Sequence, residues 1–195
     1  NQQALPKVLE IAQGGTAVGT GLNTYEGFPE KVAANLKKET GYKFVTSPNK
    51  FESLASKDAL VHLSGALNTL AASLMKIGND IDSSDQDQDV DLENLVFQKT
   101  NQIINHAWKG QPHSVRGTYN GVCLGIGNHV AVTVGGSLGH FELNVFKPLI
   151  VRNVLHSIRL LGDACESFNV NCVSGIVANK ERISKLLNES LMLVT

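Results

Sequence analysis

Cysteine is scarce in this chain, and its placement excludes more than it allows. The 195 residues hold only Cys123, Cys165 and Cys172. No two of them stand at a metal-type spacing, so the sequence predicts free thiols in a reducing compartment and no metal site. Net charge is also missing. The balance of 17 Lys+Arg against 18 Asp+Glu leaves −1, so no global field attracts nucleic acid or anionic lipid. No apolar run reads as long as a membrane span, and neither nucleic acid nor membrane is expected as a partner. A nucleotide loop is absent too. Gly14 to Gly19 has the spacing of a phosphate-cradling loop, but Thr20 stands where lysine is needed. Gly19-Thr20-Gly21 begins a dinucleotide fingerprint, but Thr24 fills its third glycine slot. The loop reads as a tight connection where backbones approach closely. The sequon Asn188-Glu189-Ser190 falls in a helical pattern and reads as a chance match.

Helical patterning is abundant. Residues 28–40 predict a helix with Pro29 in its first turn and Gly41 just past its end. Residues 49–80 give the clearest element. Asn49 and Glu52 form a capping box, and Leu54, Val61, Leu67, Leu70, Leu74 and Ile77 then recur at helical spacing. Alanines thin several faces, which suits packing against more than one helix. His62 reads as a polar contact between helices. Residues 141–168 predict another long helix with a kink at Pro148, and residues 178–194 a last one capped by Asn179. Strand-like alternation is scarce. The fold class is all-α, a bundle of long helices. At the start, "KVLEIAQ" reads as the tail of a helix under way, and the end stops on apolar residues, so a piece of a longer chain is expected.

Residues 81–112, "IDSSDQDQDVDLENLVFQKTNQIINHAWKGQP", do not fit this pattern. Asp85, Asp87, Asp89 and Asp91 alternate as in a cation loop. A calcium loop starting at Asp85 would nevertheless have Val90 in its glycine slot and Val96 in its glutamate slot. The ladder is therefore not a cation site.

Four phrases together resemble the class II fumarase family of the fumarase/aspartase superfamily: "GGTAVGTGLNT", "VTSPNKFESLASKDALVHLSGALNTLAASLMKIGNDI", "GNHVAVTVGGSLGHFELNVFKP" and "SIRLLGDACESF" with "GIVANKERISKLLNESLMLVT". They span residues 13–81 and 127–195. Aspartases share the first phrase, whereas "NKFE" and "GHFELNVFKP" favour fumarase. The resemblance implies that residues 1–195 belong to the central helical domain, whose long helices build a homotetramer core. It implies reversible hydration of fumarate, a small dicarboxylate, to L-malate in the citric acid cycle, without metal or organic cofactor. It also implies a soluble protein of mitochondrion or cytoplasm.

The family's signature loop, G-S-S-I-M-P-G-K-V-N-P, should lie between "MKIGNDI" and "GNHVAV", where the odd segment stands. The codons explain this. Residues 103–112, IINHAWKGQP, can be written ATC ATC AAT CAT GCC TGG AAA GGT CAA CCC. Read one base later, they give S-S-I-M-P-G-K-V-N. In the other shifted register, residues 82–95 permit F-L-G-S-G-P-R-C-G-L-G-E-L, and residues 97–102 permit P-E-N-E-P. Residues 113–123 permit T-Q-C-E-A-L-T-M-V-C-A. Residues 82–126 therefore read as family coding sequence translated out of frame, with no packed structure expected.

In the family, the first serine of the loop is the base that takes the C3 proton, and the loop's lysine and asparagine stabilise the resulting dianion. The two serine slots fall here at Ile103 and Ile104, which carry no proton-accepting atom. The lysine slot is Lys109, kept because AAA and AAG both encode lysine, and the asparagine slot is Gln111. The family's other active-site phrases, S-G-T-Q-S-N-M-N, H-P-N-D and T-H-x-Q-D-A, are absent from the chain. His129, His140 and Lys147 lie in matched phrases and read as structural contacts. The expectation is a fumarase by family that is inactive as written. The alternatives are an inactive helical scaffold or a related lyase such as aspartase.

Overall fold

The first helix, α1 (Leu5–Val8), is followed by a two-residue strand, β1 (Glu10–Ile11). This corrects the reading of residues 7–13 as a helix tail. The Leu9 and Ile11 carbonyls accept from the Val45 and Ser47 N–H groups at 3.0 and 2.8 Å, which pairs β1 in parallel with β2 (Val45–Thr46). The structure is a computed structural model that describes residues 4–86, 95–97 and 113–178, with residues 180, 184 and 188.

Helix α2 (Phe28–Thr40) has the predicted bounds. Gly27 at φ +74° starts it, and Gly41 at φ +76° ends it by donating its N–H to the Lys37 carbonyl. Residues 49–80 form two helices instead of one. Asn49 caps α3 (Lys50–Ala55) by accepting the Glu52 N–H on Oδ1 at 3.2 Å. The Glu52 carboxylate accepts from the Ser53 and Ser56 hydroxyls. α3 stops because Ser56 turns extended and Lys57 Nζ donates to the carbonyls of Ser53, Leu54 and Ser56 at 2.8–3.1 Å. The chain restarts as α4 (Asp58–Gln86).

Two of the long helices depart from expectation. α5 (His113–Ser137) begins inside the segment expected to lack packing, and Val122 within it is fully buried. The expectation for residues 82–126 is thus corrected over residues 113–126. Tyr119 and Val122 stand about one helical turn apart there, the first half-buried and the second fully buried. Residues 82–86 continue α4, and residues 95–97 form β3 (Leu95–Phe97). Helix α6 (Lys147–Asn171) starts six residues later than residue 141. Pro148 therefore sits in its first turn and does not kink it. A short 3-10 turn and β4 (Ile176–Ala178) follow. β3 and β4 pair antiparallel, Leu95 opposite Ala178 and Phe97 opposite Ile176. Apart from residues 180, 184 and 188, the last expected helix and its cap Asn179 lie outside the described residues.

The chain divides into two units. One comprises Asn1–Leu70 and Leu124–Arg159, the other Ala71–Cys123 and Leu160–Thr195. In the first, Leu63, Val132, Ile150 and Val154 are buried together with Ala4. Gly136 allows α5 to pass Val61, since a Cβ there would collide with that side chain. In the second, Leu74, Val122, Leu161 and Phe168 are among the buried residues. A Cβ on Gly78 would stand 2.8 Å from the Tyr119 ring, so α4 and α5 pass closely there as well.

Within α4, Asp58–Ile81 is long and apolar enough, at a mean hydropathy of 1.2, to cross a membrane by length and composition alone. This corrects the reading that no run approaches that length. The cause is alanine. Ala59, Ala66, Ala71 and Ala72 raise hydropathy while adding little bulk, as helix–helix packing requires.

Candidate functional site

The glycine-rich loop, residues 12–24, is folded tightly against α3. Gly19 at φ +99° passes so near Phe51 that a Cβ would lie 2.5 Å from its backbone nitrogen. Thr16 and Val18 also adopt positive φ, +48° and +53°, where β-branched side chains are strained. Gly21 N–H donates to Gly15 O, and Thr24 Oγ1 donates to Gly14 O, closing the loop on itself. A cleft of about 400 Å³ lies beside it, lined among others by Thr20, Thr24, Tyr25, Glu30 and Lys50. The reading of this loop as a close backbone connection agrees with that geometry.

A larger cleft of about 610 Å³ is lined by residues of the N-terminal segment, α3 and the start of α4, with Lys7, Glu10, Glu52, Lys57 and His62 among them. Burial lowers the Lys57 pKa from its usual value, the neighbouring Lys147 ammonium lowers it further, and Glu52 opposes both. His62 itself is exposed. The histidine that bridges helices is His129, whose Nδ1 lies 3.0 Å from Ser64 Oγ. A hydroxyl next to an imidazole is the pairing of an activated nucleophile. Ser64 is only 2% exposed, so the pair is a packing contact in this chain. Asn128 Nδ2 likewise donates to Ser157 Oγ at 3.1 Å and reaches His156 Nδ1 at 3.2 Å.

His140 takes part through its backbone, exchanging hydrogen bonds with Leu143. The residues that sequence reasoning missed are Asn144 and Lys57. Asn144 is fully buried, and its Nδ2 donates to Gly135 O at 3.0 Å and to Leu138 O at 2.7 Å. Its Oδ1 accepts the Phe146 N–H at 2.9 Å. One signal existed: an asparagine lies between apolar neighbours in "FELNVF". Ile103, Ile104, Lys109 and Gln111 lie outside the described residues. Among the described residues no three His, Cys, Asp or Glu side chains converge as a metal set.

Long alanine-lined helices, a glycine loop strained against a capped helix and interhelical polar pins define a helical-bundle protein. The family model described as Lyase matches residues 1–94. Mitochondrial fumarate hydratase of Rattus norvegicus is 58% identical over 194 residues, 98% of this chain and 38% of that protein. The Homo sapiens enzyme of the same name gives the same figures. A crystal structure of class II fumarase from Schistosoma mansoni superposes with a TM-score of 0.85 at 34% identity, over 99% of this chain and 45% of that one. The chain is a fragment-length match to the class II fumarases. It spans 38% of the length of the two mammalian relatives.

Proposed function

We propose that this chain is central-domain sequence of a fumarate hydratase, and that as written it does not hydrate fumarate. The observation that carries the assignment is the 58% identity to fumarate hydratases along 98% of the chain. Inactivity follows from residues 82–126 being read out of frame. The match to the lyase model stops at residue 94, within that segment. Ile103 and Ile104 occupy the family's serine slots and offer no base, while Lys109 and Gln111 are an incomplete donor set for the dianion. The complete enzyme would take a small dicarboxylate, and the names of its relatives favour a mitochondrial site.

Self-association into the family's homotetramer is part of the same reading. Only 22% of the most apolar window of α4 is buried within the chain. Val130 and Val134 on α5 and Leu155 on α6 are exposed, and apolar helix faces of this kind call for a partner. The buried packing of α5 around Val122 favours a polypeptide that folds, so the inactive scaffold remains the second reading.

Fumarate absorbance would be followed for this chain, its Ile103→Ser/Ile104→Ser variant and a full-length chain with the frame restored. We expect malate formation from the third alone, because catalytic groups that act as a unit are not rescued singly. Turnover by the first would overturn the role of the serine slots. An inactive third that folds as a tetramer would overturn the enzyme assignment.

A further inference from the structure

Lys57 stands at the break between α3 and α4, with its amine turned back onto the end of α3. Nζ donates to Ser53 O at 2.9 Å, Leu54 O at 3.1 Å and Ser56 O at 2.8 Å. The residue is only half-buried, and it lines the cleft of about 610 Å³ together with Glu52, Ser56, Asp58 and His62. That volume lies within the range of small-molecule sites. The amine is therefore fixed in position and open to a reagent in the cleft.

The surroundings make this amine a nucleophile. Burial and the neighbouring Lys147 ammonium both disfavour its proton, and a lysine desolvated beside a second cation is an activated amine. The cradle of carbonyls also accommodates the neutral form. Leu54 O, the most distant of the three, has a second donor in the Asn144 N–H at 3.2 Å. Loss of one proton leaves two N–H groups for Ser53 O and Ser56 O, so no carbonyl is stranded. Glu52, whose carboxylate acts on the same amine from the cleft wall, is an acceptor for the proton that acylation releases.

We propose that Lys57 is an acyl-acceptor site, taking the acyl group of a small thioester in the cleft and thereby releasing the end of α3. The neutral amine adds to the thioester carbonyl carbon. A C–N bond forms, the C–S bond breaks, and the amine proton passes through Glu52 to the departing thiolate. Nothing is oxidised or reduced. The product amide is uncharged and has one N–H, so it can serve only one of the carbonyls of Ser53 and Ser56. The positive charge that suits a helix C-terminus is lost as well. None of this depends on the hydration activity proposed above.

The test treats the chain at neutral pH with the acetyl thioester of N-acetylcysteamine, folded and in urea, and follows each lysine by peptide mass spectrometry. Lys37 and Lys38, exposed on α2, serve as internal references. Relative to them, Lys57 is expected to react roughly threefold faster or more in the folded chain than in the unfolded one. A relative rate that is equal or higher in urea would show that the fold shields this amine, and would overturn the proposal. Lys147→Gln is expected to lower the folded-state rate at Lys57. An unchanged rate in a variant as helical as the parent by circular dichroism would overturn activation by the neighbouring cation. If that variant does not fold, the parent comparison decides alone. Lys57→Gln, which mimics the amide, is expected to unfold at lower urea than Lys57→Arg, which keeps the charge. Equal midpoints would overturn the release of α3.

Discussion

Asn144 shows how much one side chain can hold. The ends of two helices meet at a buried polar group whose donors and acceptor are all used. Asn144→Ala would strand the Phe146 N–H and the Leu138 carbonyl without partners, at a cost of about 2–3 kcal/mol. Asn144→Asp should be worse at neutral pH, since a carboxylate only accepts and would face carbonyl oxygens. Urea denaturation of the three proteins checks the order, and an alanine variant as stable as the parent would refute it. Cys172 is the opposite case. Burial raises its thiol pKa, which keeps it protonated and unreactive.

The helices α2, α4 and α6 were legible in the sequence, their boundaries less so, and α5 was not. α2 could be read to its ends because both are written in local chemistry, Pro29 inside one and Gly41 past the other. The break at residue 56 could not be read. It depends on Lys57 folding back onto three carbonyls, whereas lysine is ordinarily a good helix former. The late start of α6 likewise follows from a hydrogen-bond cluster closing across residues 135–146. Lys57→Met should cost about 1–2 kcal/mol at pH 7 through the lost carbonyl contacts. The pH dependence has a defined sign. Folded Lys57 holds its proton less tightly than the unfolded chain, so its desolvation penalty is full below the folded pKa and fades as pH rises toward 10.5. The parent's advantage over Lys57→Met should therefore widen between pH 7 and pH 10 in paired denaturant titrations. A constant or shrinking gap would show that burial does not control this amine.

Across the whole molecule, the likeness to fumarases was written in long phrases, whereas the proposed catalytic slots were not. The serine, lysine and asparagine slots became visible only through the codons beneath Ile103, Ile104, Lys109 and Gln111, and those residues lie outside the described structure. Reading the genomic nucleotides across residues 81–127 should show bases whose removal or addition brings S-S-I-M-P-G-K-V-N into frame. A clean genomic read encoding "DSSDQDQDVD" would end the out-of-frame account. The small sheet of β3 and β4 bears on this question. Leu95, Val96 and Phe97 come from the segment read out of frame, yet they pair in register with Ile176–Ala178. A main-chain ladder recognises amides and carbonyls, which every reading frame supplies alike except at proline. The frame-restored phrase for residues 97–102, P-E-N-E-P, opens on that exception, so restoring the frame would remove a main-chain N–H at the Phe97 end of the ladder, which the chain as written keeps.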